Sequence, residues 1–233
     1  AKMLRRGRQI VIARYLDRVT PIELIVPLSG LKVDLAAEPR RGFIDREILD
    51  ALSTLRLSPS PRTDDAAFLR RVTLDLSGRL PTVAATRAFL AKTDPKKRRA
   101  VIDRLLASEE FSEYWTLRLA KLLRINPGQQ NRQGALKYHQ WLHRQVRDNV
   151  GYDRLARSVI LATGDSHEVG PANFYRTVKG PRKQAEFMSE VFMGSRLRCA
   201  NCHNHPLDRW TQDDYHGLAA IFARIEGEQV VKV

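Results

Sequence analysis

The chain has 233 residues, 43% of them hydrophobic, enough to bury a core without covalent staples. Charged residues interrupt nearly every apolar window, so no run approaches the roughly 20 residues a membrane-spanning helix needs. The net charge of +14 favours anionic partners, but the cations are scattered through helical patterns rather than interleaved with aromatics, which argues against a nucleic-acid groove.

The opening Ala-Lys-Met-Leu-Arg-Arg shows no apolar stretch with a small-residue cleavage site, and it reads as the start of a segment excised from a longer precursor. Residues 9–15 and 22–26 are β-branched, roughly alternating runs separated by residues 17–21, which predicts a β-hairpin within residues 1–35. Pro27, Ser29, Gly30 and then residues 38–42 look like a linker. From Phe43 the hydrophobic period becomes helical. Ile44, Ile48, Leu52 and Leu55 form one stripe. Asp64 or Asp65 can cap a helix carrying Phe68, Leu69 and Val72, and Thr82 one carrying Phe89 and Leu90. Asp94-Pro95 places a proline at a first helical position, ahead of Val101, Ile102, Leu105 and Leu106. Ser108 opens a helix with Phe111, Trp115, Leu119, Leu122 and Leu123 inward. Asp75, amid Arg70, Arg71 and Arg79, reads as part of an ion-pair network.

A glycine- and amide-rich break over residues 126–134 precedes two more helices, near 135–148 and 152–162. Residues 164–181 are punctuated by Gly164, Gly170, Pro171 and Pro181 and read as a long ordered loop or a lid. A helix through Met188, Val191 and Phe192 follows, and Thr211-Gln-Asp-Asp214 matches a capping box that starts a last helix running to about residue 225. The predicted fold is mostly α: a helical, bundle-like domain over residues 43–233 behind a short N-terminal β appendage.

The two cysteines of the chain stand three apart with a histidine next, Cys199-Ala-Asn-Cys202-His203. Two thiols at this spacing can add to the two vinyl groups of a haem, and the following histidine then lies beneath the iron. Cys199 and Cys202 are the expected covalent attachment points for haem c and His203 the expected proximal iron ligand. Attachment of this kind implies an oxidising, exported location, periplasmic or at the cell surface. Cys199, Cys202, His203 and His205 are also ordinary zinc donors, although adjacent ligands at 202 and 203 make tetrahedral closure awkward. A structural disulfide is a third reading, strained by so short a turn.

His205 precedes Pro206 and suits a hydrogen-bonding role beside the ligand. Trp210, Tyr215, Leu218 and Phe222 are either porphyrin walls or plain core, with helical spacing favouring core for the last two. Arg196 and Arg198 flank the motif and suit haem propionates. For the iron's distal face, His167 is preferred over Met188, Met193 and His216. His139 and His143, four apart, read as an exposed helix face. No nucleophile-elbow motif occurs, and no residue supports an enzymatic claim. The expected function is one-electron transfer, or redox or gas sensing, with an acidic redox protein or an anionic surface polymer as partner. The competing expectation is a structural or carbohydrate-associated module with zinc or a disulfide at residues 199–205.

Phe43-Ile-Asp, the run from Phe68 through Leu-Ser-Gly-Arg-Leu-Pro to Thr82, Leu105-Leu-Ala-Ser, Gly170-Pro-Ala-Asn-Phe-Tyr175, Cys199–Pro206 and Trp210-Thr-Gln-Asp-Asp-Tyr215 together resemble the planctomycete family known as domain of unknown function 1549, over roughly residues 43–225. The resemblance implies membership of large exported proteins, often associated with cytochrome-c-like modules and bacterial immunoglobulin-like domains, and it implies that the N-terminal hairpin is the end of such a β-sandwich. It implies no established activity. No methionine follows His203, unlike the common cytochrome c layout, so the fold must differ from that one. A haem motif near the C-terminal end of a helical bundle matches cytochrome c-prime in layout alone.

Overall fold

A computed structural model describes residues 5–16, 18–225 and 230–231. The protein is mostly helical, with a short N-terminal β-hairpin. By contact it divides into two compact units, one of residues 1–62 and 202–212, the other of residues 63–201 and 213–233.

In the first unit, β1 (Gly7–Tyr15) pairs antiparallel with β2 (Arg18–Val26) over its whole length, from Gly7 opposite Val26 to Tyr15 opposite Arg18. The second strand therefore starts earlier than its apolar run suggested. Pro21 sits within it, which a two-stranded ribbon tolerates because each strand is an edge. Asp17, assigned from sequence to the segment between the strands, lies outside the described residues. The linker folds back on α1 (Phe43–Leu55), where the Leu28 N–H donates to the Leu55 carbonyl at 2.9 Å and the Ser29 hydroxyl to the Arg56 carbonyl at 2.8 Å. The stripe read on α1 is rotated. Ile44 and Ile48 are exposed and Leu49 is the buried residue, because the helix meets its unit on one narrow face.

The second unit begins with α2 (Asp65–Ser77), α3 (Val83–Ala91) and α4 (Lys97–Leu106), packed around Leu69, Phe89 and Val101. Asp64 caps α2 by accepting from the Ala67 N–H at 2.7 Å, and Thr82 caps α3 by accepting from Ala85 at 3.1 Å; such caps are worth about 1 kcal/mol each. Asp65 takes the ion-pair role read for Asp75. Its two oxygens meet Lys97 Nζ and Arg98 Nε at 2.7 Å each, while Asp75 is exposed. The start at Asp94-Pro95 slips by two residues, because the Asp94 side chain accepts from the Lys96 N–H and holds a turn ahead of the helix.

Ser108 caps α5 (Glu109–Leu122), whose buried line is Ser112, Thr116 and Ala120, with Leu122 exposed. The break read over residues 126–134 narrows to one residue. α6 (Pro127–Arg147) is kinked only at Asn131, at φ 56 and ψ 174, where the Asn131 side chain caps the following turn by accepting from the Gly134 N–H at 2.9 Å. Proline at the first position and side-chain bonds from Gln130 explain why this polar stretch is helical. Gln130 is fully buried, its Nε2 donating to Thr177 Oγ1 at 2.6 Å and its Oε1 accepting from the Asn126 N–H at 2.8 Å.

After α7 (Tyr152–Ile160) comes the segment read as a loop or lid. It contains β3 (Gly164–Asp165), a 3-10 turn (Gly170–Asn173) and α8 (Phe174–Thr177). It is core rather than lid: Ala172, Asn173 and Phe174 are fully buried, and a phenylalanine so placed contributes about 1.5–3 kcal/mol. Tyr138, Leu142 and Val159 join it there, with Phe187 from α9 (Pro181–Phe192). The last helix, α10 (Gln212–Ile221), ends earlier than expected, and β4 (Val230–Val231) pairs antiparallel with β3.

Candidate functional site

α9 stops at Phe192, and Gly194 turns the chain at φ +65, in the left-handed region that favours glycine. The Ser195 N–H returns to the Ser189 carbonyl at 3.1 Å. A 3-10 turn (Leu197–Asn201) follows, and with three residues per turn its positions 197 and 200 share one face. Leu197 and Ala200 bury that face, so Arg198 and Cys199 point outward. Both cysteines are exposed free thiols.

Cys199 lies on the wall of a cavity of about 470 Å³, within the range of about 300–1,000 Å³ usual for ligand and cofactor sites. Val178, Phe187 and Leu197 supply its apolar surface. Arg124, Lys183, Arg196 and Arg198 supply four cations against the carboxylates of Glu186 and Glu190. Arg124 stands in the left-handed conformation at φ 54, its carbonyl accepting from Asn126 Nδ2 at 3.1 Å, and its guanidinium lies 4.6 Å from the centre of the Phe187 ring.

In the other unit, the segment after Cys202 is an ordered loop. His205 donates its backbone N–H to the Trp210 carbonyl at 2.8 Å, Asn204 Oδ1 accepts from the Gln212 N–H at 2.9 Å, and Arg14 of β1 donates to the Pro206 carbonyl at 2.5 Å. His203 is exposed, and its Nδ1 lies 2.7 Å from the Asn204 carbonyl oxygen. A carbonyl only accepts, so Nδ1 is the donor in this contact, and in the neutral ring Nε2 is then the nitrogen with the lone pair. His205 is assigned the opposite tautomer, since its Nδ1 accepts from the Leu207 N–H at 3.2 Å. A pocket of about 370 Å³ beside His205 is lined by Val19, Thr20, Asp208 and Trp210.

A family model described as PSCyt2, protein of unknown function (DUF1549), matches residues 43–227. The chain belongs to the DUF1549 family. No curated protein and no solved structure matches it.

Within this DUF1549 chain the residues singled out from sequence belong to both units. Arg196 Nε lies 3.5 Å from Glu190. His167 is not among the residues lining the Cys199 cavity; its Nε2 faces Asn131 Nδ2 at 3.0 Å and Arg176 at 3.4 Å. Both neighbours donate, so Nε2 acts there as an acceptor. Met188 packs against the core and Met193 is exposed. His216 lies edge-on to Tyr215. Tyr215 is fully buried and donates to Glu186 at 2.8 Å; Phe222 is core, with Leu218 against it. Trp210 lines the pocket beside His205 and carries Arg209 over its ring. His143 Nε2 meets Glu109 at 3.1 Å, and burial, with His143 nearby, lowers the pKa of His139.

Among the described residues no group of three or more His, Cys, Asp or Glu side chains gathers as metal ligands would. Sequence reasoning missed Arg124, Lys183 and Glu190. Lys183, Phe187 and Glu190 follow helical spacing on α9 and were findable as a stripe ending near the cysteines, whereas the unusual backbone at Arg124 leaves no sequence signal.

Proposed function

We propose that Cys199 and Cys202 carry a covalently attached haem c with His203 as its proximal ligand, making this an exported domain for electron transfer or for redox or gas sensing. The observation that carries the reading is the His203 imidazole, which is exposed, with Nδ1–H directed at the Asn204 carbonyl, so that Nε2 is the nitrogen left to face a metal. Metal-binding histidines are held in this way, the second-nitrogen bond fixing ring orientation and raising ligand basicity. Two exposed free thiols and a cofactor-sized cavity at Cys199 support it. Bound haem iron supplies one-electron chemistry between the ferrous and ferric states. The residues of this chain would hold and orient it: Cys199 and Cys202 would anchor it covalently through their sulfurs, and the His203 imidazole would be its iron ligand. For the distal side the proposal keeps His167, whose Nε2 here faces Asn131 and Arg176. The +14 charge suits an acidic redox partner, with association weakening as salt rises.

The test is export of the chain from a host with cytochrome c maturation, followed by acid–acetone extraction and the pyridine haemochrome spectrum. Haem that stays with the protein is the expected result. Colourless protein with stoichiometric zinc would overturn it in favour of a structural or carbohydrate-associated module, the reading to which the Trp210 pocket lends weight.

A further inference from the structure

The cavity beside Cys199 holds more positive than negative charge, and its own residues use only part of it. Glu190 lies 3.9 Å from Arg124 and 3.5 Å from Arg196, and Glu186 accepts from the buried Tyr215 hydroxyl. Lys183 and Arg198 line the same cavity and have no ion-pair partner among the described residues. Four cations against two carboxylates leave a surplus of two positive charges, located on those two side chains. Between them the cavity presents Val178, Phe187 and Leu197, the last two nearly fully buried and held rigid by the core. Such a site suits a ligand with an apolar body and two carboxylates. A porphyrin has that composition, with its propionates as the carboxylates.

Resting on the haem reading above, we infer that Lys183 and Arg198 form the propionate clamp of this site. Arg196, the other arginine before the motif, is held by Glu190 and serves to neutralise that carboxylate. Lys183 sits one turn before Phe187 on α9, so a single helix presents both the apolar wall and one of the two cations. Arg198 belongs to the 3-10 turn that faces Cys199 outward, so the second cation and the attachment thiol are set by the same backbone. Both side chains are exposed, which makes them removable without disturbing the core.

The experiment uses the full chain made without cytochrome c maturation and titrated with metal-free protoporphyrin IX, read by quenching of tryptophan fluorescence. This probe carries the propionates but no iron, so it reports the clamp separately from His203. Lys183→Gln and Arg198→Gln are each expected to weaken binding about tenfold, and the pair of changes about a hundredfold, as charge-assisted hydrogen bonds are lost. Arg87→Gln, exposed on α3 and outside the cavity, leaves affinity unchanged. Protoporphyrin dimethyl ester is expected to bind the unaltered chain as weakly as the diacid binds the double variant. Affinities within twofold across the variants, or equal binding of ester and diacid, overturn the clamp. Charge-selective porphyrin binding by a chain that takes no covalent haem on export sustains the clamp and removes the attachment; covalent haem without charge selectivity does the reverse. Unchanged melting temperatures of the variants show that affinity, and not folding, has been read.

Discussion

Asn131 provides a position where two small substitutions are expected to move stability in opposite directions. Its backbone, at φ 56 and ψ 174, occupies a region that is essentially glycine's own and costs another residue about 1–3 kcal/mol. Two side-chain bonds offset part of that cost. The cap to the Gly134 N–H at 2.9 Å is worth about 1 kcal/mol over alanine but only a few tenths over glycine, and the exposed bond from Nδ2 to His167 at 3.0 Å adds about 0.5 kcal/mol. Asn131→Gly removes the backbone cost and loses less than about 1 kcal/mol of side-chain bonding, for a net gain of about 1 kcal/mol. Asn131→Ala keeps the backbone cost and loses both bonds, for a net loss of about 1.5 kcal/mol. Urea unfolding followed by far-ultraviolet circular dichroism measures both against the unaltered chain. Equal midpoints for the two variants would refute the reasoning, since that outcome requires an unstrained residue at 131.

Gly78 ends α2 at φ +68, and a Cβ there would fall 2.4 Å from the Tyr114 ring, so Gly78→Ala is expected to cost about 2–4 kcal/mol. A loss below about 1 kcal/mol in thermal unfolding would mean the ring gives way freely. The Asp65 carboxyl is held below the usual carboxylate range by hydrogen bonds from Lys97 and then Arg98, so its stabilisation is complete at neutral pH and is lost as pH falls through that lowered value. Asp65→Asn should lower stability at neutral pH and flatten the acid side of the stability profile. An acid slope identical to that of the unaltered chain would show that other carboxylates set it.

The local punctuation was legible in the sequence because it acts through local chemistry. Asp64, Thr82 and Ser108 cap the helices their positions announced, since a short polar side chain reaches the N–H three residues on regardless of tertiary context. What failed depended on distant partners. Nothing local distinguishes Leu49 from Ile48 on α1; the neighbour that buries one of them decides. The glycines and amides of residues 126–134 read as a break because the Gln130 bond to Thr177, 47 residues away, is invisible from either end. Residues 164–181 read as a long ordered loop or a lid because glycine and proline were weighed as loop signals, whereas Phe174 and Tyr175 place the middle of the segment in the core. Burial pushes the Tyr175 phenol up to about 12, so it stays a donor to the Ile160 carbonyl. At the candidate site the cysteine spacing and the flanking Arg198 were plain from the start, but the ring hydrogen bonds and the cavity that gathers Lys183 with Arg198 exist only in three dimensions.

The hairpin carries a consequence for where the DUF1549 unit should be cut. The family match opens at residue 43 and closes at residue 227, bounds set by sequence similarity. Physically, Arg14 of β1 holds the Pro206 carbonyl, and Val19 and Thr20 of β2 wall the pocket beside His205, so the loop that presents His203 is buttressed by residues upstream of that boundary. At the far end, Val231 is 1% exposed and pairs with Gly164, four residues past the closing bound. A fragment trimmed to the family limits would keep every recognisable motif and lose the scaffolding under its histidine, since in each unit the packed residues run past the bounds that similarity detects.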